Sequence, residues 1–576
     1  MWLRIVADEV VLVEVLQVLL WARVLANVCH TPQVLIIEAG PDGRDVPGIY
    51  IPGRKGSTLG SQYDWNFTTI AQPNANYRTI AQNRGHVLGG SSALNLLSWD
   101  RGAAADYDAG EELGNPGWDN AAMSKAIDNA EAYQLTSVKG SSGITGVGLE
   151  GPIHFLVNRY SPPQQEAFFP AMQRLGVSET YGFLKGEMIG FMRHTSNILL
   201  TNYTRSYSPA YLAHAPRNLH ILLGTMAAKV NLDGGRACGV TLRDGGVISA
   251  RKEVILSAGA IQSPQILELS GVGNKIVLAK AGVKQLVDLP TVGENLQDHI
   301  RITTAYQLRQ NYTSPDILKL NASFAASELA LYERNMTGLY DGTSSGYAYL
   351  QWDQALGNDS AMISYGRASA TDNVIDQRKL RNLVDKSKHV PQLEVLFSDG
   401  YLGAKSYPAA NSSLYGQQFF AMIAAVQHPF SRGSSHIINP SVNAKPAFDP
   451  KYLSKPYDLH AIAEAAKYLR KVAQTPPLSY TWSSEYEPGL DVVKTDEDWI
   501  AYAKANLASI WHPLGTCAML PRSEGGVVDP HLKVYGVKGL RVVDASIIPA
   551  LVSGHVQSAV YGIAERAGEL IAEERS

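Results

Sequence analysis

Cysteine, excess charge and long hydrophobic runs are all scarce in this 576-residue chain. Three cysteines, Cys29, Cys238 and Cys517, are too few and too widely spaced for a zinc site or a disulfide framework. A formal net charge of −3 gives no indication of a nucleic-acid or anionic-membrane partner. The apolar stretch 10–21 is interrupted by Glu14 and is too short to span a bilayer. We therefore predict no metal site, no nucleic-acid partner and no membrane association.

Glycine is absent from the first 39 residues, although the whole chain has 51. Together with 29 prolines, these glycines favour many turns over a helical bundle. The length exceeds what one simple core accommodates, so two or more domains are expected. With 45% hydrophobic and 18% charged residues, the composition is that of an ordinary globular protein.

The compartment is indicated by two opposing signals. Scarce cysteine favours a reducing compartment, whereas seven Asn-x-Ser/Thr sequons favour secretion. The N-terminus is a poor signal peptide, because Asp8 and Glu9 lie beside its apolar stretch and no clean cleavage site follows. We expect a glycoprotein of the secretory route, with the cytoplasm as the alternative. The sequon asparagines are Asn66, Asn202, Asn311, Asn321, Asn335, Asn358 and Asn411.

Two segments in the N-terminal half suit a dinucleotide site. Residues 34–38 form an apolar run that ends in Glu38 and is followed by Gly40, which is typical of a buried parallel strand. A carboxylate at that place hydrogen-bonds the adenosine ribose in dinucleotide folds. Residues 84–95 form a glycine-rich turn that leads into a helix, where close backbone approach would suit a pyrophosphate. Each segment alone is equally compatible with a plain strand end or a plain loop.

Short strands are predicted between residues 219 and 256, and a helix after them. The turns 233–235 and 244–246 contain Asp-Gly-Gly, which suits hairpins. The helix is expected over residues 263–269, ended by the glycines that follow. The predicted strands are 220–223, 229–232, 240–242, 246–249 and 254–256.

Two histidines near the C-terminus, His512 and His555, are candidates for proton transfer. Imidazole is the side chain best suited to moving a proton near neutral pH. Between them, residues 539–546 indicate a buried strand that ends in a tight turn, which could bring both imidazoles to one place. An isolated histidine is more often a satisfied buried residue than a catalytic one.

Four blocks in order, residues 84–118, 259–273, 292–299 and 512–565, resemble the glucose–methanol–choline (GMC) family of flavin oxidoreductases. The resemblance begins near residue 24. It implies an α/β fold, with an FAD-binding Rossmann-like domain and a substrate domain built on an antiparallel sheet flanked by helices. The FAD-binding domain would comprise residues 1–155, 218–300 and 506–576, and the substrate domain residues 156–217 and 301–505.

The resemblance also implies roles for individual residues. Glu38 would bind the adenosine ribose, Ser91 and the neighbouring glycines the pyrophosphate, and Val230 the adenine. Ala545 and Gln557 would contact the ribityl chain and pyrimidine end of the flavin. Trp511 would form an aromatic wall of the substrate pocket, as in aryl-alcohol oxidases. The full set of expected cofactor-binding residues is Glu38, Trp65, Val87, Gly90, Ser91, Asn95, Leu96, Ser98, Val230, Asp544, Ala545, Val556 and Gln557.

The implied reaction is oxidation of an alcohol to its carbonyl compound, with hydride transfer to flavin N5. His512 would remove the hydroxyl proton and His555 would steady the developing alkoxide. Leu94 stands where some members attach flavin through a histidine, so the FAD should be non-covalent. We expect a primary alcohol, aryl or small and apolar, possible involvement in fungal secondary metabolism, and oxygen or another electron acceptor.

One departure from the family pattern leaves alternatives open. The family begins with a strand and a Gly-x-Gly-x-x-Gly turn, whereas no segment before Val24 resembles either one and no glycine precedes Gly40. Either the start or an intron boundary of the gene is wrongly assigned, or the chain is a degenerate member that binds flavin poorly. A non-redox lyase or cyclase that keeps flavin as a structural part, and a flavin-deficient pseudoenzyme, are the competing functions.

Overall fold

Two seven-stranded sheets organise the computed structural model, which describes residues 6–13, 33–343 and 346–575. In the first sheet, the strands from Leu219–Leu222 to Val247–Ser257 pair in parallel. The two strands at the other side, Arg236–Leu242 and Ala227–Asp233, pair antiparallel. Its strands lie in the order Leu219–Leu222, Val34–Glu38, Val6–Val13, Val247–Ser257, Arg236–Leu242 and Ala227–Asp233, and Leu540–Val542 pairs with Val247–Ser257.

A strand lies within the first sheet at the place where the sequence shows no resemblance to the family. Val6–Val13 pairs in parallel with Val34–Glu38 on one side and with Val247–Ser257 on the other. A strand is present at this place, and the expectation that its sequence is atypical or was replaced stays a prediction. The apolar run 10–13 is typical of a parallel strand that has partners on both edges. The expected glycine turn would follow this strand within residues 14–32, which lie outside the described residues.

The parallel strands bring the ends of several chain segments to one edge of the first sheet. Val34–Glu38 ends at Glu38, Val247–Ser257 is followed by Gly259, and Leu540–Val542 is followed by Asp544. These strands run in the same direction, so the segments that follow them meet outside their carboxyl ends. Open α/β sheets bind their ligands at this edge.

Most of the predicted strands of residues 219–256 are present, with one difference. Ala227–Asp233 and Arg236–Leu242 form the expected hairpin, and Gly234 and Gly235 take positive φ angles of 54° and 79° in its turn. The predicted strands 246–249 and 254–256 are one strand, Val247–Ser257. Its first half pairs with Arg236–Leu242 and its second half with Leu540–Val542, so the ladder continues through both.

The helix after this strand begins earlier than the sequence indicated. It spans Gly259–Leu269, whereas residues 263–269 were predicted. Gly259 has φ of 76°, a conformation that lets the chain turn directly from strand to helix. The small residues at 258–260 therefore belong to the helix start and not to a separate loop.

The second sheet is antiparallel throughout and carries helices, which confirms this part of the predicted fold. The 19-residue helix Pro456–Gln474 packs against Ile300–Leu308 and Phe419–Val426. Its buried residues include Ile462, Leu469 and Val472, whose spacing places them on one face. The strands lie in the order Trp482–Glu487, Ile300–Leu308, Phe419–Val426, Leu393–Asp399, Gly346–Leu350 and Gly190–Arg193, and Ala508–Ser509 pairs with Ile300–Leu308.

Shorter strands and the helices complete the structure. Among the described residues, no helix has the combination of length and apolar character that crossing a membrane requires. The remaining strands are Phe67–Thr68, Ala81–Gln82, Ser98–Trp99, Glu131–Tyr133, Ile153–Val157, Thr195–Ser196, Ile198–Leu199, Thr204–Arg205, Val272–Gly273, Val287–Asp288, Ser434–His436 and Ala447–Asp449. The α-helices are Pro47–Tyr50, Ser91–Leu94, Ala104–Glu112, Asn120–Ala130, Pro163–Glu166, Phe168–Arg174, Gly259–Leu269, Lys275–Lys280, Ile317–Leu320, Ala322–Asn335, Trp352–Leu356, Ser360–Ser369, Val374–Val384, Pro456–Gln474, Asp496–Asn506 and Gln557–Glu573.

Candidate active site

The structure brings the rings of the two predicted histidines, His512 and His555, together in an edge-to-face arrangement. Their ring centroids are 5.3 Å apart, and the ring planes are inclined by 78°. His555 lies just before the helix Gln557–Glu573, after a turn in which Gly554 has φ of 74°. A Cβ on Gly554 would lie 2.8 Å from Met188 Cε and 3.0 Å from Asp100 Oδ1, so only glycine lets the chain pass here.

Two carboxyl groups, those of Asp100 and Glu394, lie beside His555. Its backbone N–H donates to Asp100 Oδ1 at 2.8 Å, and its ring Nδ1 lies 3.0 Å from Asp100 Oδ2. Glu394 Oε1 lies 3.7 Å from the same nitrogen. Burial alone would lower the pKa of His555, but the neighbouring carboxyl groups, Asp100 above all, outweigh it and raise the pKa to about 9. His555 therefore carries a positive charge at neutral pH.

A third histidine, His299, sets the state of His512. Its Nε2 lies 2.9 Å from the carbonyl oxygen of Gln427, which can only accept, so Nε2 carries the proton. Its Nδ1, 2.9 Å from His512 Nδ1, must then accept a hydrogen bond from the N–H of that nitrogen when both rings are neutral. Burial, followed by the proximity of the His299 and His555 rings, lowers the pKa of His512 well below the usual value. His512 is thus neutral, and its Nε2 keeps a free lone pair.

Two more buried residues hold Asp100, and the sequence did not single out either. The Tyr349 hydroxyl lies 2.6 Å from Asp100 Oδ2, and His194 Nε2 lies 2.9 Å from the same oxygen. Potential metal-ligating atoms of Asp100, His194 and His555 lie within 4.8 Å of one another. Hydrogen bonds already join these atoms to each other, so we assign the group to proton chemistry.

The predicted flavin residues at the glycine-rich block and at the C-terminal tail meet at Gln557. Its Nε2 donates to the Ser98 carbonyl oxygen at 2.6 Å and to Asn197 Oδ1 at 2.5 Å. Its Oε1 accepts from Asn95 Nδ2 at 2.6 Å, and Asn95 Oδ1 accepts from Arg205 Nη1 at 2.6 Å. This partly buried junction fixes the loop 95–98 beside the start of the last helix.

The glycine-rich turn brings backbone segments into close contact. Gly90 has φ of 51° and immediately precedes the helix Ser91–Leu94, and Ser91 Oγ accepts from the N–H of Gly85 at 3.2 Å. A Cβ on Gly85 would lie 2.1 Å from the carbonyl carbon of Gly90. A Cβ on Gly40 would lie 2.2 Å from the backbone nitrogen of Val87, which itself is fully buried. The turn thus packs directly on the chain that follows Glu38.

Glu38 is fully buried at the end of its strand, as predicted. Its Oε1 accepts from the N–H of Gly40 at 2.6 Å, whereas Oε2 has no hydrogen-bond partner among the described residues. Burial raises the pKa of Glu38 to about 8, against the smaller opposite effect of the Gly40 N–H. An orphaned carboxyl oxygen at the carboxyl edge of a parallel sheet fits a ribose hydroxyl.

Other predicted residues are distributed around these centres. Asp544 accepts from Gly259 N–H at 2.9 Å, from Ser263 Oγ at 2.5 Å and from Ser546 N–H at 2.7 Å, which ties the tail to the helix Gly259–Leu269. The carbonyl oxygen of Ala545 accepts from the N–H of Gly515 at 3.3 Å.

Three more predicted residues, Val230, Val556 and Leu96, lie on or next to elements already described. Val230 lies on Ala227–Asp233, and its N–H donates to Ser270 Oγ at 2.8 Å. Val556 directly precedes the helix Gln557–Glu573, and Leu96 is half-buried in the loop after Asn95.

Two tryptophans were also predicted to contribute. Trp65 packs against His86, with ring centroids 4.2 Å apart, and its indole nitrogen has no partner among the described residues. Trp511 has φ of 65°, and its carbonyl oxygen accepts a hydrogen bond from Arg84. Its ring lies 5.7 Å from the Arg301 guanidinium. Trp511 directly precedes His512, and the chain turns at its left-handed backbone.

The chain is similar to known enzymes over almost its whole length. A dehydrogenase from Armillaria gallica is 32% identical, over 94% of this chain and 89% of the relative. The solved structure of an FAD-dependent oxidoreductase from Chaetomium thermophilum superposes with a TM-score of 0.87 at 28% identity, covering 99% of each chain. That of a fungal aryl-alcohol oxidase superposes with a TM-score of 0.85 at 26% identity, covering 99% of this chain and 100% of the other. Family models described as GMC oxidoreductase match residues 33–301 and 429–564, and the chain therefore belongs to this family.

Proposed function

We propose that this GMC oxidoreductase uses His512 and His555 to oxidise a primary alcohol, aryl or small and apolar, to its carbonyl compound. The observation that carries the proposal is the facing pair of imidazoles in opposite protonation states, His512 neutral and His555 cationic. An alcohol oxidation needs a proton acceptor and a stabiliser of the alkoxide at one oxygen.

FAD is the cofactor that the family and the FAD-dependent neighbour indicate, in agreement with the prediction. The residues present fit it, since Glu38 offers an unsatisfied oxygen for the ribose. Ser91 would hold the pyrophosphate, and Asn95 and Gln557 the flavin. We propose non-covalent binding because Leu94 has no nucleophilic atom. When bound, the flavin supplies the electron sink for the hydride that leaves the alcohol carbon.

His512 acts as the general base in this proposal. Its Nδ1 donates to His299, so the alcohol proton goes to Nε2. His299 is in turn held by the fixed carbonyl oxygen of Gln427. The relay selects one tautomer of His512 and keeps the base ready before substrate binds.

His555 binds the same substrate oxygen from a second side. Its Nδ1 faces Asp100, so Nε2–H is the donor available to substrate. Because Asp100 holds the ring positive, this hydrogen bond strengthens as the alcohol oxygen becomes negative. Trp511 supports the aryl substrate class, as does the likeness to a fungal aryl-alcohol oxidase.

The experiment is to add a panel of primary alcohols to the purified protein without oxygen and to record the flavin absorption. Bleaching by an aryl or small apolar alcohol, with the aldehyde as product, is the expected result. A flavin that stays oxidised with every alcohol contradicts the proposal, and product formation without bleaching selects the lyase or cyclase. The pseudoenzyme is selected if the purified chain lacks flavin and a version with a restored N-terminal glycine turn binds it.

We also propose that the protein is a secreted glycoprotein and acts in fungal secondary metabolism. The seven sequon asparagines are all exposed, which is the condition for glycan attachment on the folded chain. The likeness to fungal enzymes supports the setting. Protein from the culture medium of the source organism should lose apparent mass after glycosidase treatment, and protein found only inside cells, without glycans, contradicts this part.

A further inference from the structure

The hydroxyl group of Tyr349 lies between two carboxyl groups. It is 2.6 Å from Asp100 Oδ2 and 2.9 Å from Glu394 Oε1, and all three side chains are fully buried. A phenol has one proton, so it can donate to only one of the two. The other short contact is a hydrogen bond only if the carboxyl group itself donates to the phenol oxygen. The geometry therefore requires one proton more than two carboxylates and a tyrosine contain.

The surroundings decide which carboxyl group holds the additional proton. Asp100 accepts from the His555 backbone and faces ring nitrogens of His555 and His194 at 3.0 and 2.9 Å. Besides Tyr349, the groups around Glu394 within the described part of the chain are the Gln427 amide, which donates to Oε2 at 3.1 Å, and the more distant His555 ring at 3.7 Å. Negative charge is far better stabilised on Asp100, so the proton belongs to Glu394.

We propose that Glu394 is a neutral carboxylic acid in the resting enzyme, that its O–H donates to Tyr349, and that Tyr349 donates to Asp100. Glu394 and Tyr349 are then positioning residues, which act on His555 through Asp100. The inference deepens the proposed function, since it rests on His555 as the group that binds the substrate oxygen. Burial, the largest effect on this group, raises the pKa of Glu394 in the same direction.

The arrangement leaves one negative charge for the His555 cation. A second carboxylate beside Asp100 would repel the negative charge of Asp100 in a buried site, where like charges are costly. The titratable groups facing Glu394 are Asp100, Tyr349 and His555, and His194 faces Asp100 from the other side. A neutral Glu394 keeps Asp100 paired with the imidazolium and leaves the His512 side free of a second anion.

The first test is infrared spectroscopy of the flavin-loaded protein without substrate. Wild type minus Glu394→Gln should show a protonated-carboxyl C=O band that shifts in D2O. Glu485→Gln is the matched control, because this buried glutamate forms a two-point ion pair with Arg470 (2.6 and 2.9 Å). Its difference spectrum should lack the band. No band for Glu394→Gln, or only a carboxylate band, overturns the proposal.

Tyr349→Phe is a second, independent variant. It removes the acceptor of the Glu394 O–H, so the carboxyl band should move to higher frequency. A band that stays at its wild-type position overturns the proposed link. This reading does not depend on Glu394→Gln folding normally.

Kinetics provide a further readout. A glutamine amide can donate to Tyr349 as a neutral glutamic acid does, so Glu394→Gln should leave the pH profile of flavin reduction in place. Glu394→Leu, which cannot donate, should shift the profile. A shift of a full pH unit in Glu394→Gln would mean that a charge was removed and overturns the proposal. The infrared result stands whether or not any alcohol is oxidised, so failure of the two proposals can be told apart.

Discussion

The candidate site has a histidine end, around His512 and His555, and a proposed nucleotide end, around Glu38. The two ends differ in whether their buried polar groups find hydrogen-bond partners within the protein. At the histidine end, Asp100 receives hydrogen bonds at both oxygens, and the relay from Gln427 fixes His512. At the nucleotide end, Glu38 Oε2 has no partner among the described residues. An unsatisfied buried polar group costs about 1–3 kcal/mol, which a ligand can recover. The geometry around the histidines is therefore fixed by hydrogen bonds within the protein, whereas Glu38 keeps one carboxyl oxygen with which a ligand could form a hydrogen bond.

The largest effect is expected from His512→Ala, because it removes the base and leaves the nucleotide end untouched. The rate of anaerobic flavin reduction should fall by roughly 10²–10⁴-fold, the usual contribution of a general base. Flavin content should not change. Stopped-flow absorption with the best alcohol of the panel measures the first quantity, and the ratio of flavin to protein absorbance the second.

His460→Ala is the matched control. This histidine lies on the helix Pro456–Gln474, where it stacks on Tyr365 at 3.8 Å. The His460→Ala variant should reduce flavin at the wild-type rate. If His512→Ala lost flavin as well as rate, the two ends would be coupled and the comparison would fail.

The second effect concerns pH. The pKa of His555 is raised to about 9, so the imidazolium is present below that value and is lost as pH rises through it. The rate of flavin reduction at low substrate should accordingly decline above about pH 9. In Asp100→Asn the main charge that holds the proton is gone. If the pKa returned to 6.5, the protonated fraction at pH 8 would fall roughly thirtyfold.

The measurement is a pH–rate profile of both proteins with the same alcohol. Asp100→Asn should move the alkaline limb to lower pH by one unit or more. An unchanged limb would show that His555 is not the titrating group. Removing one member of a buried pair also destabilises a fold, so each profile is taken only where circular dichroism shows the native structure.

The third effect tests the nucleotide end alone. Glu38→Ala removes both carboxyl oxygens, and hydrogen bonds to a charged group contribute about 1.5–3 kcal/mol. Well above pH 8, where Glu38 is ionised, FAD affinity should drop by about 10- to 150-fold, as measured by quenching of FAD fluorescence on titration of the apoprotein. At saturating FAD, the rate with alcohol should return to within about threefold of wild type.

Glu464→Ala is the control for this variant, since Glu464 lies on the helix Pro456–Gln474, where it forms an ion pair with Lys467. Its FAD affinity should equal that of wild type. Normal FAD affinity in Glu38→Ala would remove the basis for a ribose-binding role. A rate that stays low at saturating FAD would instead mean that Glu38 supports the histidine end.

How much was predictable differs between the same two ends. The strand ending at Glu38 could be predicted because an apolar run and its terminal acid are adjacent in sequence. The histidine pair followed from resemblance to the family, not from periodicity. Asp100, His194, Tyr349 and Glu394 were missed, because four residues from distant segments meet only when the second sheet lies against the loop after Ser98–Trp99. Hydrophobic patterns report which face is buried, and they carry no record of such long-range polar contacts.

The smallest effect is expected from Trp511→Ala, at the substrate edge of the histidine end. An aromatic pair contributes about 0.5–1.5 kcal/mol beyond its buried area, which corresponds to about 2- to 12-fold in rate. The ratio of kcat/KM for an aryl alcohol to that for an aliphatic alcohol of similar size should therefore fall by this factor. Aliphatic substrates serve as the internal control, because the base and the imidazolium remain. An unchanged ratio would place Trp511 outside the pocket and confine specificity to other residues.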